Sequence, residues 1–288
     1  MTVKSKVENV IRDLIDNRII NLNEPDINML KGTTEGLVYT LSENAMPKYV
    51  IKYDHPQEIE FVERFLHSCR NVSLLPEWLY TDPQKEFIVY SFITGTTHYN
   101  RGLKKDWMRT LVKEVLNHYE ECLPEEAWGR LGQPRKSWHE FNSISVELAH
   151  EDLSGLLPEE DYFKVKSIVE RISSSGKEKK YLLHGDTGVH NFVFNHRALT
   201  GVIDPSPIIG PVIYDFTYAF CSSPDDLNIE TLLSSFSLLE HVPMDNSQLI
   251  DEVVVQLYTR LGICVRVHPQ DLEGYLKAWK YWKSLLSS

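Results

Sequence analysis

The chain has 288 residues, of which 42% are hydrophobic and 25% charged. That composition excludes a disordered, collagen-like or coiled-coil protein and suits one large domain or two lobes. Thirty lysines and arginines against 41 aspartates and glutamates give a formal net charge of −11, so neither nucleic acid nor an anionic membrane is an expected partner. The acid is unevenly placed: residues 204–288 hold 5 basic and 11 acidic side chains.

In chain order, Val7, Val10, Ile11, Leu14 and Ile15 recur at helical spacing and predict an amphipathic first helix. The N-terminal stretch lacks the apolar run of a secretory signal, and no stretch reaches the roughly 18 consecutive apolar residues of a membrane span. The four cysteines, Cys69, Cys122, Cys221 and Cys264, form no C-x-x-C pair. A soluble, cytoplasmic protein without disulfides or a thiolate zinc site is the expectation.

From Asn28 to Tyr90 the pattern is strand-like, with LVYTL, KYVIKY, PEWLYT and EFIVYS following the glycines of KGTTEG, Gly32 and Gly36. One helix interrupts it, where Ile59, Val62, Phe65 and Leu66 share a face. Ser91 to Thr97 reads as a connector. Beyond it, five long stretches beginning at Lys104, Glu159, Ile229, Asn246 and Asp271 run at a period near 3.6, so the second part is mainly helical. The exception is residues 181–207, where short apolar runs alternate with polar clusters and read as small strands with loops at their ends, where catalytic residues commonly sit.

His184, Asp186, Asn191, Asp204 and Asp215 sit in those loops just after apolar runs. An Asp, an Asn five residues on and a second Asp thirteen further supply oxygen ligands that suit Mg2+ together with substrate phosphates. The run His184-Gly185-Asp186, Asn191, Ile203-Asp204 and Tyr214-Asp215 resembles the signature of the aminoglycoside phosphotransferase and choline kinase group, whose fold is that of the protein kinases. All four spacings match.

The resemblance implies an α+β, bilobal protein-kinase-like fold: a small β-rich N-lobe with one helix and a larger, mainly helical C-lobe. Residues 1–92 would be the nucleotide-binding lobe with its leading helix, 93–97 a hinge, and 98–288 the lobe with the catalytic loop and acceptor pocket. Position by position, it makes Asp186 the catalytic carboxylate that orients, and on a stronger reading deprotonates, the acceptor hydroxyl, with Asn191 and Asp204 as Mg2+ ligands. Asp215 would accept backbone N–H bonds and brace the loop, and His184 would pack beneath it. Lys52, closing Tyr49-Val50-Ile51-Lys52, matches the phosphate-contacting lysine of the third kinase strand, with Glu60 as its partner or Glu63 one turn on. Gly32 and Gly36 would turn over the phosphates, and the backbone around Tyr90 to Phe92 would meet adenine.

The chain departs from the pattern in three places: KGTTEG lacks the G-x-G-x-x-G of protein kinases, Asp204 precedes Pro205-Ser206-Pro207 rather than an aromatic residue, and His190 stands where Gly is usual. As plain chemistry, Asp and Asn after short strands are also ordinary turn residues. His184, His190 and Asp186 without a second His-rich segment fall short of a zinc site. No G-x-S-x-G elbow is present. Trp279, Tyr281 and Trp282 read as packing.

The resulting expectation is a phosphotransferase that moves the γ-phosphate of ATP, or alternatively GTP, onto a small-molecule hydroxyl, with Mg2+. The alternatives are a non-catalytic nucleotide-binding protein on the same fold and a kinase for choline, homoserine or a sugar; either a monomer or a homodimer fits. The acid of residues 204–288 would wall the acceptor pocket, with Asp225, Asp226, Glu230, Asp271 and Glu273 attracting a cationic acceptor or else serving solubility.

Overall fold

The computed structural model describes residues 3–30, 37–97, 99–173, 179–240 and 242–286, with side chains from residue 6 onward. The chain divides into two compact units, Met1–Thr94 and Gly95–Ser288.

The first unit begins with α1 (Val3–Asp16) and builds one antiparallel sheet from β1 (Asp26–Met29), β2 (Leu37–Glu43), β3 (Met46–Tyr53), β4 (Trp78–Thr81) and β5 (Phe87–Ser91), with α2 (Pro56–Ser68) between β3 and β4. The strand order is β1-β2-β3-β5-β4. Val7, Ile11 and Leu14 of α1 are buried in one cluster with Tyr39, Leu41, Ile51 and Val89 of the sheet, so the apolar stripe of the first helix finds its partner there. Ile59, Val62, Phe65 and Leu66 are the buried face of α2, which packs against β4 and β5. Asn44 and Ala45, both at positive φ, make the two-residue turn that joins β2 to β3.

The second unit contains α3 (Lys104–Glu114), the short strands β6 (Trp128–Arg130) and β7 (Gln133–Arg135), then α4 (Trp138–Leu153) and α5 (Glu159–Ser173). Next come β8 (Tyr181–Leu183), β9 (Phe192–Asn195), β10 (Ala198–Val202), β11 (Ile208–Gly210) and α6 (Val212–Cys221). The helices α7 (Ile229–Phe236), α8 (Asn246–Val267) and α9 (Leu272–Leu285) complete it. The strands form a β9–β10 hairpin and a four-stranded sheet of order β7-β6-β11-β8. α8 opens on a capping box between Asp245 and Gln248 and packs on α4, α5, α6 and α9. Two elements differ from the sequence reading: residues 128–135 form a hairpin and residues 138–153 a helix. The buried residues of α4 include Asn142 and its periodicity is blurred, so no clean apolar stripe marks it.

The helix expected from Lys104 stops at Glu114, and a single 3-10 turn, Leu116–His118, follows. The Asn117 side chain donates to Leu238 O at 2.9 Å and accepts from Glu240 N at 3.2 Å, tying this segment to the end of the α7 region instead of continuing the helix. Among the described residues no helix is long and apolar enough to cross a membrane.

Candidate active site

β8 delivers the chain into His184-Gly185-Asp186. Gly185 has φ +77, and a Cβ there would stand 2.1 Å from Ser206 O, so only glycine fits. The buried His184 ring holds the turn from below: Nε2 donates to Ile203 O at 3.1 Å and Nδ1 accepts from Asp186 N at 3.3 Å. Burial pushes its pKa down to about 4, so the ring is neutral and serves as a strut.

Asp215, fully buried in the first turn of α6, accepts from Gly185 N at 3.1 Å through Oδ1 and from the Tyr119 hydroxyl at 2.7 Å through Oδ2. Its backbone oxygen accepts from Thr187 Oγ1 at 2.8 Å. Burial pushes the carboxyl pKa up to about 7 against these donors. Tyr119 also accepts from His184 N at 3.3 Å. This brace carries no signal in the sequence, because Tyr119 and Asp215 lie 96 residues apart.

Asn191 ends the 3-10 turn Val189–Asn191 just before β9, and Asp204 lies two residues past the end of β10. The hairpin pairs Phe192 with Val202, and Ile203 N donates to Asn191 O at 2.9 Å, so antiparallel pairing brings residues thirteen apart together. Asn191 Nδ2 then lies 3.0 Å from Asp186 Oδ2, 3.0 Å from Asp186 O and 3.5 Å from Asp204 O. Asp204 is exposed and adopts φ +57, a left-handed conformation uncommon outside glycine and found at functional sites.

His190 lies beside this cluster, its Nε2 3.2 Å from Asp186 Oδ2. Burial alone would raise the Asp186 pKa, but His190 and the Tyr218 phenol hold it down to about 2, so the carboxylate is fully charged at neutral pH. Its other oxygen, Oδ1, is buried without a hydrogen-bond partner among the described residues.

This donor set suits a hard cation. It offers the exposed Asp204 carboxylate, the Asn191 amide and the orphaned Asp186 Oδ1, all oxygen chemistry of the kind Mg2+ takes together with phosphate oxygens. Among the described residues no three His, Cys, Asp or Glu side chains gather as a metal site of their own, and a zinc reading gains nothing.

In the first unit Lys52 lies on β3, opposite Val38 and Ile88. Lys52 pairs with Asp54 at 3.5 Å, both side chains largely buried, while the exposed Glu60 makes no ion pair among the described residues and Glu63 pairs with Lys85. Asp54 follows Lys52 by two residues in extended chain and so falls on the same side, whereas α2 presents Glu63 to Lys85 in the β4–β5 turn. Gly32 and Gly36 lie outside the described residues. Tyr90 pairs with Val50 within the sheet; Ser91 N donates to Glu77 O at 2.9 Å and Phe92 N to Lys48 O at 2.8 Å. Both of these N–H donors are committed.

A cavity of about 260 Å³ opens in the second unit between the β6–β7 hairpin, α4, α6 and α8. Tyr214 and Tyr218 line it. Phe141 stacks on Trp138 at 4.5 Å and meets Tyr214 edge-on at 5.5 Å, giving it an aromatic wall. None of Asp225, Asp226, Glu230, Asp271 and Glu273, the five acids expected at an acceptor pocket, lines this cavity. Asp225 is 61% exposed and pairs with Arg101 at 3.1 Å; Asp226, Glu230 and Glu273 face solvent, and Asp271 is half-buried.

No family model matches the sequence. No curated protein matches it either. The fold, by contrast, is shared widely among solved structures. The GDP complex of wild-type aminoglycoside 2'-phosphotransferase-IIIa matches with a TM-score of 0.59 at 16% identity, over 97% of this chain and 98% of that one. Choline kinase LicA from Streptococcus pneumoniae matches with a TM-score of 0.59 at 14% identity, over 97% and 99%. The ternary complex of APH(2")-IIa with streptomycin and ATP matches with a TM-score of 0.56 at 16% identity, over 99% and 98%. The chain therefore has the kinase-like α+β fold of the aminoglycoside phosphotransferases and choline kinase.

Proposed function

We propose that the chain is an ATP-dependent phosphotransferase acting on a small-molecule hydroxyl. The observation that carries the reading is the convergence of Asp186 Oδ2, Asn191 Nδ2 and the Asp204 backbone within 3.5 Å, on a loop braced by His184 and Asp215. The solved proteins that share the fold were captured with GDP, or with ATP and streptomycin, which supports a nucleotide as phosphoryl donor, with GTP as the alternative to ATP.

The acceptor hydroxyl donates its hydrogen bond to Asp186 Oδ2, since Oδ1 is buried. Its oxygen attacks the γ-phosphorus, the bond to the β,γ-bridging oxygen breaks with its electron pair leaving on ADP, and the hydroxyl proton passes to Asp186 and on to solvent. With a pKa near 2, Asp186 is a weak base and a strong hydrogen-bond acceptor, so it contributes chiefly by orienting the nucleophile. Asn191 and Asp204 would hold Mg2+, which when bound neutralises charge on the phosphates.

Within this reading the arrangement is two-lobed. Residues 1–92 are the nucleotide-binding lobe, which carries Lys52 paired with Asp54, 93–97 the hinge, and 98–288 the lobe with the catalytic loop and acceptor cavity. The four cysteines are all free thiols, which supports a cytoplasmic enzyme.

Asp186→Asn tests it. ADP formation from MgATP, assayed with a panel of alcohols, should fall about a hundredfold or more while the far-ultraviolet dichroism is unchanged. ATP binding without transfer to any acceptor would favour a nucleotide-binding protein instead, and equal turnover by Asp186→Asn would refute the assignment.

A further inference from the structure

We infer that the cavity between β6–β7, α4, α6 and α8 receives an anionic acceptor: a hydroxyl compound of monosaccharide or amino-acid size that carries a carboxylate or a phosphate. This rests on the phosphotransfer reading above and names the substrate class of that site.

The charges of the lining decide it. Three guanidiniums, Arg130, Arg135 and Arg266, face one carboxylate, Asp152. Arg266 Nε bonds Asp152 Oδ2 at 2.7 Å, so these two compensate each other. Arg130 and Arg135 remain, and neither makes an ion pair among the described residues. Arg130 Nη1 donates to Ser206 Oγ at 2.7 Å, two residues beyond Asp204, which ties its head to the catalytic side of the cavity. Arg135 is held next to the aromatic wall: Gly129, at φ +85, lets it close in, since a Cβ there would stand 3.2 Å from Arg135 Cγ and 3.0 Å from Phe141 Cδ2.

A cationic acceptor entering this cavity would meet two uncompensated positive charges and no free carboxylate. Carboxylates and phosphates, by contrast, match the guanidinium fork with paired, charge-assisted hydrogen bonds. An aromatic cage for a quaternary ammonium also has rings at its wall, but guanidiniums beside them oppose a cation. Here Phe141 and Tyr214 offer an apolar face to a carbon skeleton. Size points the same way, because about 260 Å³ lies below the roughly 300–1,000 Å³ of sites that enclose drug-sized ligands. Arg130 bonds Ser206, two residues beyond Asp204, so an acceptor seated on the arginines has its hydroxyl end toward the catalytic loop.

The test uses the full chain with MgATP and reads ADP release with gluconate, glucose 6-phosphate, sorbitol, choline and kanamycin, alongside thermal shifts with each compound. Gluconate or glucose 6-phosphate should be phosphorylated in preference to the others, the two separating a carboxylate from a phosphate as the recognised group. Arg135→Gln should raise KM for that acceptor about tenfold to a hundredfold, far more than it lowers kcat, with the KM for ATP unmoved. Arg135→Lys should recover part of the loss, which a merely misfolded variant would not show. Consumption of choline or kanamycin with KM unchanged or improved in Arg135→Gln would overturn the anionic assignment and leave the phosphotransfer reading standing. ATP binding together with no thermal shift from, and no turnover of, either anion would also overturn the anionic assignment alone. Absence of both ATP binding and any turnover would remove the phosphotransfer reading and this inference with it.

Discussion

His184 links the catalytic loop to acid stability in a way that can be measured. The ring is fully buried, with Nε2 donating to Ile203 O and Nδ1 accepting from Asp186 N. Protonation would place a second N–H where an acceptor is needed, against the Asp186 amide. The pKa is lowered from 6.5 to about 4, chiefly by burial. A depressed folded-state pKa contributes stability that is present above the unfolded value and lost as pH falls through the folded one. At about 1.36 kcal/mol per unit, the full contribution is about 3 kcal/mol, and linkage places about 2 kcal/mol of that loss between pH 7.5 and pH 5. Other groups titrate over the same range, Asp215 with the opposite sign, so the informative quantity is a difference. Urea unfolding of the wild type and of His184→Gln, whose amide can still donate to Ile203 O, should be compared at pH 7.5, 6 and 5. The stability advantage of the wild type should shrink by about 2 kcal/mol across that range. An advantage that stays constant with pH would refute the neutral, buried ring.

Gly185→Ala should be among the most damaging single changes. Left-handed backbone costs a non-glycine residue about 1–2 kcal/mol, and the Ser206 carbonyl at 2.1 Å must move besides, so a thermal melt should show a loss above about 2 kcal/mol, with activity falling at least as far. Asp161, buried on α5, accepts from Trp279 Nε1 at 2.8 Å and Lys283 Nζ at 2.9 Å on α9. Asp161→Ala leaves a buried donor and an uncompensated ammonium, and calorimetry should show a loss of about 3 kcal/mol. His190→Ala removes a group that lowers the Asp186 pKa, so the acid limb of the pH–rate profile should move to higher pH; an unmoved limb would show that the imidazole is idle.

Much of the protein was legible locally. The alternation of LVYTL and KYVIKY and the apolar faces of α1 and α2 are set by side-chain periods of 2 and 3.6, which neighbouring residues alone decide. The residues proposed for catalysis come together because the segment is nearly local: two short strands joined at His196 and Arg197 fold Asn191 back against Asp204. Partnerships over long separations left no such trace. Tyr119 under Asp215, 96 residues away, depends on how packed elements direct their side chains.

The acid excess with which the sequence opened shows the same division. Chain charge is a sum over residues, and it was enough to set nucleic acid and membrane aside as expected partners. Where each charge lies is a matter of packing. Asp251 is buried beneath Arg171, which bonds it at 2.7 and 2.8 Å, and Asp225 faces solvent with Arg101. The cavity draws its charge instead from Arg130 and Arg135, on a hairpin with no periodic signature that packs on α4 and shares the cavity with α8 only once the chain has folded. Composition determined the net sign of the protein, and tertiary structure reversed it at the cavity proposed for the acceptor, because a pocket is made of residues distant in sequence whose charges no local count can assemble.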